Sequence, residues 1–293
     1  MAERGGSIYD LGYQHYEGAR LGRTRAILAL YRESLRAGFG LGRSATAKVA
    51  PFVLIGIALT PAIAQLVIGA LISGVQDLIR HDEYYSLVSF VLALYCAAVA
   101  PDIVGRDQRN HSLALYFSRA ISRMDYALAK FAAMTTAMLA ITLVPQMLLF
   151  IGNALATDSF GTYVREDSDQ AIPIVLTAVL GSAMLAAIGT AIAAQTPRRA
   201  YATVGIILTF LLSIAVSAIL VEEVQTSATD LAVFFSPLTL IEGFTTWMFR
   251  TEIASDSLLR DVTFPRATYA LAALVWTAGG VAMLVRRYAR VQA

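Results

Sequence analysis

Imidazole, thiol and paired carboxylate groups bind metals or move protons near neutral pH, and this chain is poor in all three. Its three histidines, His15, His81 and His111, fall in separate polar stretches with no second ligand at metal spacing. No Gly-x-x-x-x-Gly-Lys-Ser/Thr run cradles a phosphate, and no Gly-x-Ser-x-Gly elbow or His-Glu-x-x-His pair occurs. We therefore expect no catalytic residue, no metal and no cofactor in the chain, and no enzymatic activity of its own. Polar chemistry is instead concentrated in one insert, Gly105–Arg123, which carries Asp107, four arginines (Arg106, Arg109, Arg119 and Arg123) and a cluster of large apolar groups. Read as a helix over about Asp107 to Ser118, it places Arg109, Leu113 and Phe117 on one side. Leu113, Tyr116 and Phe117 are candidate anchors for a soluble protein, because aromatic and large apolar groups dominate protein–protein hot spots. Arg109, Arg119 and Arg123 would pair with acids of that partner or with lipid phosphate. The alternative is that these side chains only pack beneath the neighbouring segments.

Those neighbours are apolar. Of the 293 residues 57% are hydrophobic and 15% charged, and the mean hydropathy is +0.62; a soluble chain carries about 25% charged residues. Six runs approach or exceed the roughly 20 residues that cross a hydrocarbon core: Val49–Ser73, Tyr84–Val104, Tyr126–Leu155, Ala171–Gln195, Tyr201–Val221 and Ala267–Val285. No cleavable signal peptide is visible, so the first run is expected to act as an uncleaved anchor. The single cysteine, Cys96, lies inside the second run, which excludes an intrachain disulfide and suggests a small packing residue.

Orientation follows from the basic residues. The N-terminal segment, the insert with Lys130, the Arg198–Arg199 pair and the tail with Arg286, Arg287 and Arg290 hold 18 of the 23 Lys and Arg. All four lie on one side if the six runs are spans, so both termini are expected to be cytoplasmic. The basic N-terminus is then accounted for without nucleic acid, and anionic lipid is the more economical partner.

The expected fold is an all-α integral membrane protein. A cytoplasmic segment, 1–48, contains an amphipathic helix over about 23–40, with Ile27, Leu28, Tyr31, Leu35 and Phe39 as its apolar stripe, lying in the headgroup region or packed on a partner. A six-span domain over 49–285 follows, with the cytoplasmic loop at 105–125 and a tail at 286–293. Between the fifth and sixth spans, 222–266 is apolar and aromatic but broken. Phe234, Phe235, Pro237, Gly243 and Trp247 read as a re-entrant or interfacial helical hairpin at the outer face. Proline in the first and third spans should free carbonyls that neighbours must satisfy. The small residues of span four suit close helix contact. Ionisable groups are nearly missing at mid-membrane, where Gln65, Thr142, Gln146, Thr177, Thr190, Thr209 and Ser213 are the polar candidates. That pattern disfavours an ion-driven carrier.

This layout resembles the type-2 ABC-exporter permeases. The local match is the insert, with an acidic start at Asp107, a Leu-rich short helix at Leu113-Ala114-Leu115, the turn Ala120-Ile121-Ser122-Arg123 and a lysine, Lys130, entering span three. Alanine stands at 120 where the family favours proline. The resemblance implies that the insert is a coupling helix seated on a separate ATPase subunit, which binds ATP and Mg. Two ATPases and a second permease copy or paralogue would complete a bacterial plasma-membrane exporter. The Ala- and Leu-rich spans suit an amphipathic or lipid-like cargo. A stand-alone carrier or membrane enzyme is the alternative, and it would act without any ATPase.

Overall fold

In a computed structural model the described residues are 18, 22–42, 44–71, 79–118, 121–156, 168–224, 229–255, 257–262 and 264–290. Among them every long element is a helix. Six helices are long and apolar enough to cross a membrane: α2 (Ala45–Leu71), α3 (His81–Ile103), α6 (Arg123–Ala156), α7 (Ser168–Ala193), α8 (Arg199–Ile219) and α10 (Ala267–Ala289). Each coincides with an expected span, with ends moved by a few residues. The shorter helices are α1 (Gly22–Gly38), α4 (Gly105–Arg109), α5 (Leu113–Phe117) and α9 (Pro237–Phe249). Most of 7–20, a stretch that holds Tyr9, Tyr13 and Tyr16, lies outside the described residues.

α3 and α7 are the most buried spans and α6 packs on both, so these three form the centre. α2, α8 and α10 stand outside them and keep exposed apolar faces, as helices bordered by lipid should. Three prolines, Pro101, Pro145 and Pro173, lie within central helices, and the first two free carbonyls that other groups approach. Pro101 cannot donate to the Ala97 carbonyl, and the Thr203 hydroxyl of α8 donates to it instead at 3.0 Å. Pro145 leaves the Ile141 carbonyl without its helical donor, and the Tyr84 hydroxyl lies 3.5 Å away. Hydroxyls of Thr142, Thr190, Thr209 and Ser213 donate back to carbonyls three or four residues earlier, the local bond that satisfies a buried hydroxyl cheaply. Cys96 is fully buried and donates to the Leu185 carbonyl.

The amphipathic helix forms as α1 and packs on the bundle. Arg23 makes two 2.8 Å bonds to Asp125 at the start of α6, the Tyr31 hydroxyl donates to Thr136, and Gly38 packs beside Ala137. These contacts span about 18 Å of α6 at 1.5 Å per residue, so α1 packs along the first half of α6. Its buried face is Leu30, Ser34, Ala37 and Gly38. Ile27, Tyr31, Leu35 and Phe39 flank that face half-buried, and Leu28 is exposed. The bundle thus selects a face turned from the apolar stripe, because small residues at 34, 37 and 38 let α1 approach α3 and α6 closely. Gly40, at φ +65°, then turns the chain against the Ala47 carbonyl, where a Cβ would sit 2.7 Å away.

The broken apolar segment before the last span resolves into a 3₁₀ turn (Thr229–Phe235) and α9, with Ser236 capping the helix through a bond from the Thr239 amide. At 13 residues α9 is too short to cross a membrane. It does not lie on the rim, because Pro237 and most of the residues to Thr246 are buried against α3, α7 and α10. Gly243 permits this: a Cβ there would meet the Tyr269 ring at 2.5 Å. Phe234 stacks on Phe264 and Tyr269, whereas Phe235 and Trp247 stay exposed.

Candidate functional site

The insert does not fold as one helix over 107–118. α4 stops at Arg109, Asn110–Ser112 form a turn in which His111 has φ +52°, and α5 begins at Leu113. Asn and Ser side chains compete for backbone bonds and favour turns over helix interiors; here the Ser112 amide and hydroxyl both donate to the Asp107 carbonyl, closing the first helix. The break rotates α5 relative to α4, so Arg109 and Phe117 no longer belong to one continuous face.

Asp107 turns inward. One of its carboxylate oxygens accepts from the Tyr126 hydroxyl at 2.6 Å and lies 2.7 Å from Lys130 Nζ. Lys130, read from sequence as entering span three, is only 4% exposed on α6. Asp102 is 6% exposed and pairs with Arg199 of α8 at 3.3 Å and with Arg109 at 3.8 Å. Gln108 donates to the Ala194 carbonyl just beyond α7 and to the Tyr288 hydroxyl of α10. Arg287 donates to that same carbonyl, and the Tyr288 ring stacks edge-on against Tyr126 at 4.8 Å. The back of the insert is therefore bonded to α6, to the end of α7 and to α10, while the continuous helix α3 that leads into it is ion-paired to α8.

α5 packs on this platform through its own stripe. Tyr116 and Phe117 lie against Tyr126 at ring distances of 5.6 and 5.7 Å, and Leu113 is half-buried beside the core. Arg123 sits over the Phe117 ring at 5.7 Å, a cation–π placement. Arg119 lies outside the described residues. What α5 turns outward is Leu115, 67% exposed, with Arg109, Asn110, His111 and Ala114 also exposed. Leu113, Tyr116 and Phe117 form an i, i+3, i+4 stripe, and such a stripe beside apolar spans settles on them. Leu115, the apolar residue off that stripe, was the signal for the outer face.

His81, expected in a loop, is the first residue of α3 and is buried, with its Nδ1 2.6 Å from the Gln146 carboxamide. His111 stands in the exposed turn of the insert, and His15 is outside the described residues. At the opposite end of the bundle a cleft of about 680 Å³ between the starts of α3 and α7 and the end of α9 carries Arg80, Asp82, Asp169 and Arg250.

A family model described as ABC-2 family transporter protein matches residues 24–293. The chain belongs to the ABC-2 transporter family. No curated protein matches it. As an ABC-2 permease it is a multi-pass membrane subunit of an ABC transporter, and membership implies ATPase partners. The match begins at the third residue of α1 and takes in every later described element, so the N-terminal helix and the insert belong to the family domain.

Proposed function

We propose that this ABC-2 permease couples ATP hydrolysis in a separate subunit to export, and that the ATPase seats on the outer face of the 105–125 insert. The observation that carries this reading is the two-sidedness of the insert. Its back is bonded to span ends through Asp107, Gln108 and Tyr126, while its front offers Leu115 to the aqueous side. A push on the front reaches α6, α7 and α10 through buried ion pairs and hydrogen bonds rather than through a slack loop. Leu113, Tyr116 and Phe117 retain a role at the edge of the seat, with Arg109, Arg119 and Arg123 steering acids of the partner. Asp107 acts as the inner tether. ATP and Mg belong to the partner.

In this reading both termini and the insert are cytoplasmic, the membrane is a bacterial plasma membrane, and two ATPases serve two permease chains, identical or paralogous. The cargo is amphipathic or lipid-like, in keeping with spans whose polar groups are mostly hydroxyls. α1 braces α6 from the lipid side, and the α9 hairpin closes the outer end.

Purification from the native host in mild detergent tests the assignment. An ATPase bearing a Gly-x-x-x-x-Gly-Lys-Ser/Thr loop should accompany the chain, and transport in proteoliposomes should require MgATP together with that subunit. Transport by the chain alone would establish a stand-alone carrier instead.

A further inference from the structure

A cleft of about 520 Å³ opens between α8 and α10, with α7 as its floor. Its lining is apolar: Ile188 and Ile192 below, Val275, Gly279 and Met283 on the α10 wall, with Phe234 and Phe235 near the end where Trp276 lies. Trp276 is fixed there, its indole N–H donating to the Phe234 carbonyl at 2.8 Å. From Val275 to Met283 the α10 wall runs about 12 Å at 1.5 Å per residue. Gly280 seats α10 directly on Ala187, where a Cβ would meet backbone at 2.8 Å, while a Cβ on Gly279 would meet nothing within 4 Å. The cleft is thus a space left open beside a tight helix contact, on the apolar outer surface of the bundle.

Its charge lies at one end. The α10 stripe through Val275, Gly279 and Met283 continues at the same i+3 and i+4 steps to Arg286 and Arg290, both exposed. On the other wall the stripe from Thr209 runs through Gly205 to Tyr201 and Arg198. Tyr201 is 62% exposed, with the Arg198 guanidinium 5.4 Å over its ring and 3.3 Å from its hydroxyl. The three aspartates of this face are engaged elsewhere, Asp102 by Arg199 and Arg109, Asp107 by Lys130 and Asp125 by Arg23. Among the described residues Arg198, Arg286 and Arg290 form no ion pair. A positive-inside bias explains arginines on this face, but not their alignment with the helical stripes that line both cleft walls.

We propose that the α8–α10 cleft is a resident site for one anionic phospholipid, with an acyl chain along Met283, Gly279 and Val275 and the phosphate between Arg198, Arg286 and Arg290. Arginine suits the phosphate because its planar fork donates two bonds at once. Tyr201 sits at headgroup level, where its polar tip and apolar ring are both satisfied. Occupancy would hold α8 and α10 at a fixed separation next to the insert that α10 helps to anchor.

Trp276 is the reporter. The full-length chain carrying Trp247→Phe, which leaves Trp276 as its only tryptophan, is reconstituted in phosphatidylcholine vesicles containing increasing dibrominated phosphatidylglycerol or dibrominated phosphatidylcholine. Quenching should favour the brominated anionic lipid by about tenfold in relative affinity, each arginine near an anionic headgroup being worth roughly fivefold at most. Arg198→Gln, Arg286→Gln and Arg290→Gln together should bring the ratio to about one. Gly279→Leu, whose Cβ would meet nothing within 4 Å and whose branch would occupy the cleft, should cut quenching by both lipids. Equal quenching by the two lipids in the parent would overturn the proposal in favour of unselective boundary lipid. Protection from both would overturn it in favour of a second chain covering the cleft.

Discussion

Leu115→Asp is expected to sever the permease from its ATPase while leaving the membrane domain folded. Leu115 is the most exposed large apolar side chain of the insert, and no described neighbour uses it. Charging a central apolar contact costs at least about 2 kcal/mol, or roughly thirtyfold in affinity. The variant should insert and melt like the parent, yet lose ATPase co-purification and permease-stimulated ATP hydrolysis. Phe117→Asp makes the contrast: its ring packs on Tyr126 under Arg123, so its first effect should be a lower melting temperature. A Leu115→Asp protein that retains full stimulation would remove Leu115 from the seat.

The second large effect concerns the tether. Asp107 and Lys130 are nearly shielded from solvent and 2.7 Å apart. Removing one partner of such a pair leaves an uncompensated buried charge and costs about 3–5 kcal/mol, whereas replacing both is often far milder. Asp107→Ala and Lys130→Met should each strongly destabilise the detergent-solubilised protein, and the double variant should cost much less than the sum. Tyr126→Phe, which removes one hydrogen bond to a carboxylate, should cost about 1.5–3 kcal/mol. The double variant keeps Leu115 and should still bind the ATPase, but transport per ATP should fall because the insert no longer grips α6. Additive single and double effects would show that the two charges act independently.

The spans were legible because length and hydropathy decide membrane crossing almost alone; each lies within a few residues of its apolar run. The brevity of α9 was legible from Pro237 and Gly243, though not its burial, which depends on Tyr269 closing over Gly243. The insert was legible as an interrupted, charged element with an apolar stripe. Which side of it faced water was not. Sequence places Leu113, Tyr116 and Phe117 on one face, but only the position of Tyr126 on α6 turns that face inward. The break at His111 had a local signal in Asn110 and Ser112 that a single amphipathic helix overrode. The ion pairs had none: Asp107 meets Lys130 23 residues on, and Asp102 meets Arg199 on a different span. Pairings of that kind are set by helix packing, and their members read in sequence as ordinary charges. The buried face of α1 is of the same origin, since Ser34, Ala37 and Gly38 look unremarkable until α3 and α6 pass beside them.

The claim that the insert faces an ATPase with one side and grips the spans with the other can be tested at single residues. Cys96, the one native cysteine, is replaced by alanine, and a benzophenone is attached to a cysteine placed at 113, 115 or 117 in the permease–ATPase complex. Cross-linking to the ATPase should be strongest from position 115, weak from 113, and from 117 should fall mainly within the permease. Strong ATPase adducts from 113 and 117 with none from 115 would contradict the account.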